Sequence, residues 1–113
     1  MKRIEAIIKE ENLDGVKDAL DAAGFTGLTV LNCRGRGTQG GINLEWRART
    51  YRVDLLHKLM LMLVVKDEDV QNVVDCIINV CQSDPTAGAG KIFISPVEQV
   101  IRIRTGERDD AAL

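Results

Sequence analysis

The chain has 113 residues, 45% hydrophobic and 28% charged, which is enough to bury one core, too short for two, and too apolar for a disordered tail. A net charge of −2 and a pI of about 5.4 argue against a general nucleic-acid or membrane-surface binder. Three cysteines (Cys33, Cys76 and Cys81) are too few and odd in number for a disulfide framework, so reduced thiols in the cytoplasm are expected.

Near the start, Ile4, Ala6 and Ile8 alternate with Arg3, Glu5 and Lys9, and only Ile7 breaks the polar set. That is close to period two and predicts a half-buried strand, with no long apolar stretch to suggest a signal peptide. Asn12 stands where an N-cap belongs, ahead of Leu13, Val16, Leu20 and Ala23 at helical spacing, and Gly24 occupies the C′ position. Residues 28–33 form a second strand rich in branched side chains. Gly35, Gly37, Gly40 and Gly41 then fall within seven residues, and no period holds from Arg36 to Arg52, so a long recognition loop is expected there. Residues 59–65, Leu-Met-Leu-Met-Leu-Val-Val, predict a central strand buried on both faces, far too short to span a bilayer. Asp67, Glu68 and Asp69 open a helix whose stripe is Val70, Val73, Val74, Ile77 and Cys81. A turn segment over 83–90 leads to a short strand at 92–94, ended by Pro96. Val100 to Arg104 predicts another strand, with Ile101 and Ile103 on one face and Arg102 and Arg104 on the other, followed by a polar tail.

This order predicts an α+β, ferredoxin-like (split βαβ) antiparallel sheet with two helices on one face. The second sheet face then needs cover, and an oligomer with sheets packed around a common axis is expected.

Chemistry concentrates in three places. Gly88-Ala89-Gly90-Lys91 is a glycine-rich turn whose N–H groups can approach a phosphate, with a lysine to supply charge. It is not a Walker A loop, because Pro85 stands where that pattern needs glycine and Ile92 where it needs Ser or Thr. Arg102 and Arg104, two strand rises apart, can grip a polyphosphate, or can be exposed edge residues paired with Glu5 or Glu98. The loop holds Arg36, Arg47, Arg49 and Arg52 against the single acid Glu45, and adds Trp46 and Tyr51. Aromatic and arginine side chains dominate interface hot spots, which makes this loop a candidate recognition element. Gln39 and Lys58 bracket it and can hold a small carboxylate, or a metal with a carboxylate, ordering the loop when ligand is present. Enzyme signals are poor. His57 is the only histidine, and no clustered His/Cys set suggests a zinc site.

The segments 1–9, 26–30, 91–94 and 101–108 together make the chain resemble the PII nitrogen-regulatory signal-transduction family over essentially its whole length. The resemblance implies one domain over 1–113, with a T-loop at about 36–53, a B-loop at about 83–91 and a C-terminal tail at about 105–113. It implies a compact homotrimer with ATP/ADP sites between subunits, where ATP and Mg2+ create the site for 2-oxoglutarate and ligand state sets the T-loop's shape. By position, Thr29, Gly37, Thr38, Val64, Gly88, Ala89, Gly90, Lys91, Arg102 and Arg104 would bind nucleotide. Gln39 would hold the metal and 2-oxoglutarate, with Gly41 and Lys58 completing the acid's site. Tyr51 falls at a tyrosine that some members carry as a uridylylation site. Trp46, Arg47, Arg49 and Tyr51 would meet target proteins such as ammonium transporters or nitrogen-assimilation and nitrogen-fixation enzymes, with neither nucleic acid nor membrane insertion involved.

The family often carries arginine where Thr38 stands, lysine where Gly40 stands, and an acid where Met62 and Ala89 stand. Losing a cation at position 38 is expected to weaken the grip on a terminal phosphate. An alternative is therefore a divergent trimer of this fold sensing only ADP, AMP or another metabolite. An RNA-binding module of similar plan is a further alternative, opposed by the absence of Phe, Tyr or Trp from the first three predicted strands of the sheet.

Overall fold

The computed structural model describes residues 1–37, 42–82 and 89–113. Strands β1 (Lys2–Ile8), β2 (Thr29–Gly35), β5 (Leu56–Val65) and β6 (Lys91–Pro96) form an antiparallel sheet in the order β2-β5-β1-β6. Helices α1 (Leu13–Ala22) and α2 (Val70–Cys81) pack on one of its faces. This is the predicted split βαβ, ferredoxin-like plan, since each helix connects two strands with a third between them.

Period two fixes the register. Ile4, Ala6 and Ile8 of β1 lie opposite Leu63, Leu61 and Leu59 of β5, and all six are buried. Val16 and Leu20 of α1 and Val73, Ile77 and Cys81 of α2 close over them. α1 ends as its glycine predicts. Gly24 takes φ +92, the Phe25 N–H donates to the Leu20 carbonyl at 2.8 Å, and Gly24 N–H donates to Asp21 at 3.0 Å, the paired bonds of a Schellman motif.

Four expectations need correction. First, the segment 36–52 is not structureless throughout: β3 (Ile42–Trp46) and β4 (Arg49–Val53) pair as a separate two-stranded hairpin. Its turn residues Arg47 and Ala48 have φ 49 and 62, the sign pattern of a type I′ turn, without the Asn-Gly signal that usually announces one. Second, β5 begins at Leu56 and is buried on one face only. Met60, Met62 and Val64 are half-buried, because no helix among the described residues covers the second face. Third, residues 100–104 form no strand. A strand needs a partner, and here the chain turns back on itself, with Ile101 bridging Arg108 and Arg102 N–H donating to Glu107 at 2.9 Å. Fourth, Asn12 makes no side-chain cap. It ends a 3-10 turn (Glu10–Asn12) in helical conformation, and its buried Nδ2 has no partner.

Candidate functional site

The C-terminal ends of β1 and β2 meet the starts of β5 and β6 at one end of the sheet, and a cavity of about 600 Å³ opens there. Lys58 sits opposite Cys33 across β5 and β2, and Lys91 sits opposite Ile7 across β6 and β1. Directly opposed residues share a face, so both lysines project on the side away from the helices. Arg34, Arg36, Gly37 and Phe93 complete much of the lining. Among the lining residues are four cations (Arg34, Arg36, Lys58 and Lys91) and no acid. Such a wall raises the local concentration of anions.

Gly90 explains how the turn reaches this wall. Its φ is +115, and a Cβ built there would run into the carbonyl oxygen of Ile7. Only glycine fits, so the backbone entering β6 lies directly on the end of β1. Ala89, Gly90 and Lys91 therefore face the cavity as a unit.

Of the residues singled out in the sequence, the cavity gathers Gly35, Arg36, Gly37, Lys58, Ala89, Gly90 and Lys91. It does not gather Thr29, Val64, Arg102 or Arg104. Thr29 lies opposite Met62, four residues before Cys33 and thus roughly 13 Å along β2. Val64 lies opposite Arg3, towards the other end of β5. Arg102 Nη1 is 3.8 Å from Glu107 Oε1, and its Nη2 donates to the Leu113 carbonyl at 3.4 Å; neither Glu5 nor Glu98 is its partner. Glu5 instead holds Arg3 at 2.8 Å. Arg104 stands in an exposed turn, not on a common strand face with Arg102. Thr38, Gln39, Gly40, Gly41 and Gly88 lie outside the described residues, as does the stretch 83–87.

Sequence reasoning missed Arg34, Cys33, Phe93 and Ile7 as lining residues. For Ile7 a signal existed: it was the one apolar side chain out of phase in β1, and it lines the cavity. Arg34 lies near the end of β2 and Arg36 just beyond it, with glycines between and after them.

The hairpin carries the second feature. Trp46 is 60% exposed, and the Arg47 guanidinium carbon sits 4.4 Å over its ring centroid. Arg49 lies opposite Trp46, and Tyr51 is placed in β4 opposite Leu44. At the hairpin's foot, Arg36 pairs with Asp54 at 3.8 Å. His57 is solvent-accessible and 3.5 Å from Glu10, outside the cavity lining. No group of three or more His, Cys, Asp or Glu side chains placed to hold a metal occurs among the described residues. No helix among them is long and apolar enough to cross a membrane.

A family model described as nitrogen regulatory protein P-II matches residues 1–107. The chain is 52% identical to nitrogen regulatory protein P-II 2 of Methanothermobacter thermautotrophicus over 113 residues, covering all of this chain and 97% of that one. It is 49% identical to nitrogen regulatory protein P-II of Cereibacter sphaeroides and 48% identical to nitrogen regulatory protein P-II 1 of Escherichia coli K12, in each case over the full length of both chains.

Proposed function

The chain belongs to the nitrogen regulatory protein P-II family, and on that premise we propose that it reports nitrogen and carbon status by binding adenine nucleotide and 2-oxoglutarate at sites shared between three copies. It is a nitrogen signal transducer and not an enzyme. The observation that carries the proposal is the cavity wall: four cations, no acid, and a glycine turn pressed onto β1. These residues suit a polyphosphate. Lys91 and the Ala89–Gly90 backbone would hold phosphate oxygens, and Lys58 would hold the distal carboxylate of the organic acid. Thr29, Val64, Arg102 and Arg104 are absent from this wall, and a neighbouring copy would bring them to it. Gln39, outside the described residues, would bind Mg2+ together with ATP and 2-oxoglutarate, and Thr38, Gly41 and Gly88 would take the remaining ligand contacts.

Ligand occupancy would act on the hairpin through Gly35 to Gly37, which belong both to the cavity and to the hairpin's approach. Ordering that approach for one ligand lowers the entropic cost for the other, which makes binding cooperative. The Trp46–Arg47–Arg49 tip would then dock on targets in the cytoplasm, such as an ammonium transporter or a nitrogen-assimilation or nitrogen-fixation enzyme, with Tyr51 as a possible modification position. A second reading, a sensor of ADP, AMP or another metabolite alone, is favoured by Ala89, which gives the cavity a methyl group where an acid would help hold a metal.

Calorimetry separates the two. In the first reading 2-oxoglutarate binds only when Mg-ATP is present, and Lys58→Ala abolishes that binding while leaving nucleotide binding within about three-fold. Nucleotide binding that is indifferent to 2-oxoglutarate supports the second. No binding of ATP, ADP or AMP at saturation overturns the first reading and reduces the second to a sensor of some other metabolite.

A further inference from the structure

The chain crosses from the four-stranded sheet to the hairpin after Gly35 of β2, and returns before Leu56 of β5. Arg36 stands on the outgoing crossing and Asp54 on the returning one, and Arg36 Nη1 lies 3.8 Å from Asp54 Oδ1. The ion pair therefore straps the neck from which β3 and β4 project. Arg36 also contributes to the wall of the cationic cavity, whereas Asp54 is not among its lining residues. One guanidinium thus stands between a carboxylate at the neck and any anion that enters the cavity.

The balance between those two anions follows from their surroundings. The Arg36 and Asp54 side chains are 54% and 56% exposed. An ion pair so accessible to water contributes little and is readily exchanged. A polyphosphate carries several negative charges and several acceptor oxygens, which suit the planar fork of an arginine. Arg34, Lys58 and Lys91 already favour anions at the same wall.

We propose that Arg36 is a ligand-operated strap: it holds Asp54 when the cavity is empty and is drawn off it by a bound polyphosphate. The proposal rests on the nucleotide reading above and adds the residue through which occupancy reaches the hairpin. Arg36 touches ligand, and Asp54 is a positioning residue that acts through it. Because two anions compete for one side chain, whatever opens the strap also tightens the nucleotide by the same factor. Opening the neck re-aims the hairpin, and with it the Trp46, Arg47 and Arg49 side chains at its far end.

The test is a double-mutant cycle on the full chain, read by calorimetry with Mg-ATP at low salt. Asp54→Asn is expected to tighten ATP binding about three-fold, and Arg36→Gln to weaken it by about three-fold or more. Added to Arg36→Gln, Asp54→Asn is expected to change affinity by less than about 1.5-fold, which separates the strap from the general loss of a negative charge. Tryptic cleavage after Arg47 reads the hairpin: Mg-ATP is expected to change its rate by about three-fold or more in the unaltered chain, and Asp54→Asn to show the changed rate without nucleotide. If the unaltered chain binds ATP but Asp54→Asn does not tighten it, tightens it equally beside Arg36→Gln, or cleaves as the empty unaltered chain does, the strap is wrong and the nucleotide reading stands. The same holds if Arg36→Gln binds ATP normally. If the unaltered chain binds no adenine nucleotide, the nucleotide reading falls and the strap falls with it.

Discussion

Gly90 is the residue on which the cationic cavity depends most directly. At φ +115 and against the Ile7 carbonyl, any side chain must push β6 off β1. Gly90→Ala is expected to cost about 2–4 kcal/mol, from left-handed backbone strain plus overpacking. Chemical denaturation reads this directly, and an unchanged midpoint would show that the contact yields at little cost. Asp67 is a second residue with a measurable signature. It accepts from the Met1 ammonium at 2.9 Å and lies 3.9 Å from Lys2 Nζ. The hydrogen bond from the ammonium, with those two positive charges, holds its carboxyl below the ordinary carboxylate range. A lowered native pKa means that the stabilisation is present above the ordinary range and is lost as pH falls through the lowered value. Acid unfolding of Asp67→Asn is therefore expected to be shallower in pH than that of the unaltered chain. Parallel acid titrations would sink this assignment.

At the scale of elements, the Arg47–Ala48 turn is the strained one, with two non-glycine residues at positive φ. Ala48→Gly is expected to stabilise the β3–β4 hairpin locally by about 1 kcal/mol, seen as roughly five-fold slower amide exchange in Trp46 and Arg49 with no change in the core. Faster exchange there would mean that Ala48 contributes something other than strain. The same turn shows why this hairpin was hard to read. Its strands are only five residues each, β4 holds Arg49, Thr50 and Arg52, and its turn lacks the residues that normally mark a I′ geometry. By contrast β1, α1, β2, α2 and β6 were legible, because each buries one face against a single core and must repeat at 2 or 3.6 residues to do so. Residues 100–104 failed in the opposite sense. Ile-Arg alternation is a strand pattern, but the pattern states what the segment can pair with and not whether a partner exists in the same chain. The candidate site divided similarly. Lys58, Gly90 and Lys91 were found by residue type, whereas Arg34, Cys33 and Phe93 enter the wall only through cross-strand register, which no local pattern reveals.

At the scale of the whole molecule, the described residues cover the sheet on one side only. Ile7, Met60, Met62 and Val64 lie half-buried on the bare side, next to the exposed Leu31 and Phe93. The Arg3–Glu5 pair interrupts them at the β1 row. An apolar surface of this extent on a small chain is an association surface, and Met62→Lys, which places charge opposite Thr29 and Glu5, is expected to shift sedimentation towards single chains. If Met62→Lys sediments as the unaltered chain does, the copies meet elsewhere.

Cys33 adds a practical outcome. Its thiol is half-buried in the cavity wall across from Lys58, whereas Cys81 is enclosed in the core and the Cys76 thiol donates to the Ala19 carbonyl at 3.7 Å. Alkylating reagents should therefore meet the wall before the core. The molecule thus carries its own footprinting handle, whose rate of labelling would report from within the pocket as it fills, with no engineered tag and no change to any charged group.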